Sequence, residues 1–275
     1  MSELPFAATT PTSIGRIGLR SRDADRLAAF YREVIGLQEL SRDSGAIRLG
    51  AGTRELLEIQ PDGAAQPDDP RSAGLFHTAF LLPSRADLGR WLAHMSRNRF
   101  AISGASDHLV SEAVYLNDPD GNGIEVYADR PPEAWPWDAG VLQMATERLN
   151  LASVLAEVPA EDAGWEGAPE NMVIGHVHLR VGNPVVSEDW WRDQFGLDTM
   201  TKYRPSAVFM SSGGYHHHVG ANSWQSAGAG PRDPRRAGLA FVEVESAGLA
   251  SERETVDPWG TVVRHVQRPC EGRRA

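Results

Sequence analysis

Apolar and polar positions follow a pattern along this chain that occurs twice. Ile14 to Leu37 read IGRIGLRSRDADRLAAFYREVIGL, and 160 residues on, without a gap, Ile174 to Leu197 read IGHVHLRVGNPVVSEDWWRDQFGL. Each stretch opens with the alternation of a strand and passes into helical spacing. In the first copy Leu27, Phe30, Tyr31, Val34 and Ile35 fall at i, i+3, i+4, i+7 and i+8, which predicts an amphipathic helix with one face on a sheet. A bulky pair marks both helices (Phe30–Tyr31 and Trp190–Trp191), and both stop at a glycine followed by leucine, a C-cap signal.

Short strands are predicted after each helix: AIRLG and ELLEIQ in the first copy, SAVFMSS and HHHVGANSW in the second. A related unit follows each of these. GLFHTAFLLP at 74–83 reads as a strand, Leu88, Trp91, Leu92 and Met95 mark a helix, and AVYLNDPDGNGIEVYAD reads as two strands joined by an Asp-Pro-Asp-Gly turn. The late counterpart, GLAFVEVE then VDPWGTVVRHV, has almost no helix between its strands. The expected class is α+β: four βαβββ modules, the last one trimmed, paired into two cupped mixed-sheet domains. Chain order suggests one paired domain over 12–130, a linker over 131–171 with a possible helix near Met144 to Val158, and a second paired domain over 172–268.

Composition narrows the partners. A chain of 275 residues is long enough for two ordinary cores, and its net charge of -10 argues against nucleic acid as a partner. The basic cluster Arg232, Arg235 and Arg236 sits among Pro and Gly and reads as a solvated loop. The single cysteine, Cys270, permits no intrachain disulfide and fits a reducing compartment. No apolar run approaches the roughly 18 residues of a membrane span. The start lacks the basic flank and apolar core of a secretory signal, so a cytoplasmic location with no membrane partner is expected. Exposed sheet edges would suit a homo-oligomer. Phosphate-loop, GxSxG and HExxH signatures are missing.

The modules, together with AFYREVIGL, FHTAFLLP, SEAVYLNDPDGNGIEVYADRP, IGHVHLRV and GGYHHHVGANSW, resemble the vicinal oxygen chelate superfamily (glyoxalase, bleomycin resistance protein, extradiol dioxygenase), in its catechol-2,3-dioxygenase-like branch. The likeness spans roughly residues 12–268. It implies cupped sheets with metal ligands projecting inward from first and last strands. For the extradiol branch it implies iron(II) or manganese(II) held by two histidines and a carboxylate, with positions open for a diol and O2.

Carried onto this chain, the resemblance makes His77 and Glu125 metal ligands. Tyr115 falls near the substrate, with His108 upstream as an acid/base imidazole of ordinary pKa about 6.5. The first-strand ligand position falls on Arg16 in the N-terminal half, and a guanidinium has no lone pair to offer. Arg16 is then expected to pair with Glu125, as a partly buried charge requires. In the C-terminal half His176 occupies that first-strand position, with His178 on the same face. His216 and His218 share one strand face and His217 the other, so by register His218 is the expected acid/base. The last-strand carboxylate position there reads Arg264. Each half holds part of a triad, and bland roles as core histidines remain open for His77 and for His216 to His218.

The resulting expectation is a metal-dependent extradiol-type dioxygenase acting on a small catechol-like aromatic diol. The alternatives are a non-catalytic small-molecule binding or sequestering protein, or a metal-dependent isomerase or lyase, since one fold hosts several chemistries.

Overall fold

Each predicted module forms. In the computed structural model, which describes residues 4–43, 45–159, 162 and 164–269, the chain opens with a short helix, α1 (Phe6–Thr9). Cys270 lies outside the described residues. Module one comprises β1 (Thr12–Ser21), α2 (Ala24–Phe30), β2 (Gln38–Asp43), β3 (Ala46–Ala51) and β4 (Arg54–Pro61). Module two comprises β5 (Gly74–Leu82), α3 (Arg85–Asn98), β6 (Gly104–Asp107), β7 (Ser111–Asn117) and β8 (Gly123–Asp129). The connecting stretch holds three two-residue strands, β9 (Trp137–Asp138), β10 (Val141–Leu142) and β11 (Glu147–Arg148), and a single turn and a half of helix, α4 (Leu151–Leu155). Module three comprises β12 (Val173–Arg180), α5 (Pro184–Phe195), β13 (Asp198–Tyr203), β14 (Ala207–Ser211) and β15 (Val219–Asn222). Module four is β16 (Gly238–Ser246), β17 (Arg253–Val256) and β18 (Val262–Gln267), with no helix among the described residues.

Local chemistry sets the helix ends. Asp23 accepts the N–H of Arg26 to start α2, Ser84 caps α3 through the N–H of Asp87, and Asn183 caps α5 with Pro184 in its first turn. A π-helical turn, Tyr31–Ile35, extends α2 to Gly36, whose φ of +82° continues into the next strand; Gly196 ends α5 the same way at +65°. Of the helix positions singled out by periodicity, Leu27, Tyr31, Val34, Ile35, Leu88, Trp91, Leu92 and Met95 are buried, and Phe30 is half-buried.

The modules do not pair one with two and three with four. One sheet runs β17-β18-β16-β1-β4-β3-β2, so it joins modules four and one. The other runs β11-β6-β7-β8-β5-β12-β15-β14-β13 and joins modules two and three. At each seam two first strands lie antiparallel, β1 against β16 and β5 against β12. The expected grouping into 12–130 and 172–268 is thereby corrected. Alternation identifies a strand and its buried face, but any antiparallel first strand can satisfy the free backbone groups of another's edge. The segments that carry the chain between sheets lie side by side: Gln66 donates its N–H to the Arg235 carbonyl at 2.9 Å and accepts that of Ala237 at 2.8 Å.

One continuous core includes residues of both sheets, such as Ile17, Leu19, Val242, Phe80 and Leu179, together with Trp191 of α5. The Trp91 indole of α3 donates to the Val34 carbonyl of module one at 2.8 Å, so the two sheets share helix contacts as well. Two further expectations change. The helix near Met144 to Val158 is confined to Leu151–Leu155. Arg232 does not sit in solvent with Arg235: it is buried and donates to the carbonyls of Leu239 and Ala237. No helix of the described residues is long and apolar enough to cross a membrane.

Since each sheet draws strands from both ends of the chain, residues 1–159 expressed alone are expected to be unfolded or aggregated, with β1 and β5 lacking partners. Co-expression with 164–275 is expected to return a soluble complex with a cooperative thermal transition. A cooperatively folded 1–159 fragment would contradict the pairing.

Candidate metal centre

The β5/β12 seam places three ligand-type side chains on one face. In register, Ala79 of β5 lies between Glu125 of β8 and His176 of β12. His77 stands two residues from Ala79 on the same face. The methyl of Ala79 is too short to reach over the space, and the three longer side chains converge above it. His77 Nε2 lies 3.1 Å from Glu125 Oε2, His176 Nε2 lies 3.3 Å from that same oxygen, and the two nitrogens are 3.3 Å apart. All three residues are buried.

This donor set suits a metal ion. Donors about 2.1 Å from a first-row ion and at right angles to one another are about 3.0 Å apart. The near-equilateral triangle here therefore needs only a small contraction. Protonation agrees. Burial, against the pull of Glu125, lowers the His176 pKa to about 4, so at neutral pH its imidazole is uncharged. Burial alone would raise the Glu125 pKa, but the imidazoles of His176 and His77 hold it well below the usual carboxylate range. An uncharged imidazole at His176 and an ionised carboxylate at Glu125 are the states a divalent cation requires.

Tyr115 and His108 border the same space. Tyr115 is paired with Glu125 across β7 and β8, and its ring centroid lies 5.8 Å from that of His77. His108 donates Nδ1–H to the Ala145 carbonyl at 2.6 Å, which leaves Nε2 to accept from the Tyr115 hydroxyl at 2.6 Å. Burial and the adjacent Glu125 carboxylate push the Tyr115 hydroxyl well above its usual pKa, so it stays protonated.

Two sequence expectations change at the site. Arg16 does not meet Glu125. It belongs to the other sheet, where it bonds Glu243 at 2.7 Å and Glu55, with Glu58 at 3.6 Å. Arg264 is in that sheet too, its guanidinium 3.7 Å over the Phe241 ring. The set is completed across the β5/β12 seam, where His176 joins His77 and Glu125.

His218 is likewise not brought to the triad. Its Nε2 donates to the Ala7 carbonyl at 2.9 Å, and its Nδ1 accepts from the backbone N–H of Ser212 at 3.3 Å, with the Ser211 hydroxyl at 3.1 Å. It anchors α1 to the sheet. Alternation does not apply here because the strand begins only at Val219; Gly213 and Gly214, with φ of +65° and +80°, turn the chain and leave 215–218 irregular. His217 is the residue that meets the site, its ring centroid 4.0 Å from that of His176. His178 lies 5.0 Å from His77, with its Nε2 buried and without a partner, beside Phe76 and the half-exposed Trp224. The adjacency of His217 had no signal in strand periodicity.

A model of the glyoxalase/bleomycin resistance protein/dioxygenase superfamily matches residues 13–126, modules one and two. Over 259 residues the chain is 39% identical to a catechol-2,3-dioxygenase of Bacillus subtilis (strain 168), covering 93% of this chain and 88% of that protein. A 124-residue stretch is 24% identical to biphenyl-2,3-diol 1,2-dioxygenase 3 of Rhodococcus globerulus, covering 44% of this chain and 65% of that one. Among solved structures, glyoxalase I from Zea mays has a TM-score of 0.55 at 15% identity, over 95% of this chain and 94% of that one, a likeness of fold.

Burial of neutral histidines also fixes how stability responds to pH. The His218 pKa is lowered to about 3, chiefly by desolvation. A histidine whose folded pKa lies below its unfolded value of about 6.5 contributes stability that is complete above 6.5 and lost as the pH falls toward the folded value. Chelator-treated protein should therefore lose stability from pH 7 to pH 5. The variant His218→Gln is expected to flatten that loss by about 2 kcal/mol, read from denaturant unfolding at each pH; an unchanged slope would contradict the assignment.

Proposed function

Because the chain belongs to the glyoxalase/bleomycin resistance protein/dioxygenase superfamily, we propose that it is a metal-dependent extradiol-type dioxygenase that opens the ring of a catechol-like aromatic diol. The observation that carries the reading is the convergence of two imidazole nitrogens and one carboxylate oxygen within 3.3 Å of one another. The 39% identical relative, a catechol-2,3-dioxygenase, supports it. His77, His176 and Glu125 would hold iron(II) or manganese(II). Bound there, the ion would supply Lewis acidity toward both diol oxygens and electrons toward O2.

The chain's own residues account for the remaining tasks. His217 stands against His176, buried and with its pKa held well below the ordinary value by desolvation, so it is a neutral base at the pH of action. It would take the proton that a diol releases on binding and return it as the ring opens. Tyr115, its hydroxyl hydrogen given to His108, would leave its oxygen beside Glu125 to accept from a substrate hydroxyl. Phe76, Phe209 and Trp224 surround His178 and give a planar apolar substrate flat surfaces to lie against. The non-catalytic alternative drew its support from Arg16 and Arg264, and both lie in the other sheet.

Anaerobic loading with iron(II) or manganese(II), followed by catechol and air, is the direct test. The expected results are O2 uptake and a yellow ring-opened product, abolished by a chelator. His77→Ala, His176→Ala and Glu125→Gln should each lose the metal. His217→Ala should keep it while turnover falls by about 10²–10⁴-fold. A loaded protein that consumes no O2 with any simple catechol would sink the oxygenase reading.

A further inference from the structure

Behind the triad a second set of buried polar groups converges on one carboxylate. His176 Nδ1 lies 3.3 Å from Tyr127 Oη, Tyr127 Oη lies 2.7 Å from Tyr215 Oη, and Tyr215 Oη lies 3.3 Å from Asp129 Oδ1. That same Oδ1 is 2.9 Å from His216 Nε2, and His216 Nδ1 is 2.7 Å from His217 Nδ1. Two arms therefore leave Asp129, one ending on His176 and the other on His217. Tyr127, Tyr215 and His216 are fully buried, walled by Trp135 and Phe6, so water does not compete for these bonds. Gly175 makes the first arm possible: a Cβ at that position would stand 1.8 Å from Tyr127 Oη.

The direction of each bond follows from its acceptor. A carboxylate only accepts, so Tyr215 gives Asp129 its one hydroxyl hydrogen. Tyr127 then donates to Tyr215, and the Tyr127 oxygen accepts from His176, which must carry its proton on Nδ1. A neutral imidazole protonated there has its lone pair on Nε2, the atom that faces Glu125 and His77. On the other arm a neutral His216 gives Nε2–H to Asp129 and accepts the Nδ1–H of His217 on its own Nδ1. His217 is left with its lone pair on Nε2. Without the carboxylate the first arm can run backwards: Tyr127 donates to His176 Nδ1, and the His176 proton moves to Nε2, where it blocks the ligand position.

We propose that Asp129 is a positioning residue that sets the tautomers of His176 and His217 together, so that one presents a ligand lone pair and the other a basic lone pair on Nε2. The usefulness of that arrangement rests on the metal reading above; the tautomers themselves can be read without any metal.

The test compares wild type, Tyr127→Phe and Asp129→Leu, since an asparagine Oδ1 would still accept both bonds. Imidazole ¹⁵N NMR of the full-length metal-free chain reports the tautomers, and titration with cobalt(II), followed by its visible absorption, reports affinity. In wild type both His176 and His217 should be protonated at Nδ1. Tyr127→Phe should move His176 toward the Nε2–H form and leave His217 unchanged, whereas Asp129→Leu should change both. Cobalt(II) affinity should fall about 10–100-fold in both variants, with both still folded by circular dichroism. Should a variant fail to fold, Tyr215→Phe cuts the same arm at another bond and is expected to move His176 alone. Unchanged tautomers in Asp129→Leu, or undiminished cobalt(II) affinity in both variants, would overturn the proposal. If wild type binds no cobalt(II) while the tautomers respond as stated, the metal reading has failed and the role of Asp129 stands. If cobalt(II) binds and the tautomers do not respond, the reverse holds.

Discussion

The antiparallel pairing of β5 with β12 is the contact on which everything at the site depends. Its register sets His176 opposite Ala79, and β8 on the far side of β5 sets Glu125 opposite the same alanine. Three neighbouring strands thus bring donors from residues 77, 125 and 176 to one point. Because side chains alternate between faces, a slip of one residue at this seam would send His176 to the opposite face and leave two donors with no third. The seam lies in the middle of the larger sheet, where backbone pairing on both sides fixes each strand.

The other seam, β1 against β16, shows what the same architecture becomes with other side chains. Arg16, at the position corresponding to His176, is held among Glu55, Glu58 and Glu243, and Arg264 lies over Phe241. A partly buried guanidinium is tolerated because carboxylates surround it, and the cluster fills the volume with ion pairs and an aromatic ring. That sheet has no donor convergence comparable to the triad among the described residues. It contributes structure: its helix end receives the Trp91 indole, and its crossover segments tie the two sheets together.

Much of the fold is legible in the sequence because the signals are local. Periodicity gives the helices, Gly36 and Gly196 end two of them, and the short run between β16 and β17 leaves no room for a fourth helix of the same kind. His77, Glu125, Tyr115, His108 and His176 are the residues that the family resemblance, carried onto the strand positions, implies, and the structure gathers these five around one space. What strand position does not carry is partnership. Which first strand meets which is decided by edges remote in sequence, so Arg16 was matched with Glu125 when His176 is the neighbour. The same limit applies to the choice between His217 and His218, which turns on two glycines that end the strand pattern. Tyr127, Tyr215 and Asp129 read as ordinary strand and loop residues until β8 and the segment after Gly214 are placed together.

The claim at the centre is that a divalent ion sits over Ala79 between the two inner modules. Crystals of protein loaded anaerobically with iron(II), measured on either side of the iron absorption edge, locate the ion without reference to activity. The expected result is one anomalous peak per chain, about 2.1 Å from His77 Nε2, His176 Nε2 and a Glu125 oxygen. A peak elsewhere, among Arg16 and its glutamates or at His216 to His218, or no peak in crystals with a stoichiometric iron content, would contradict it.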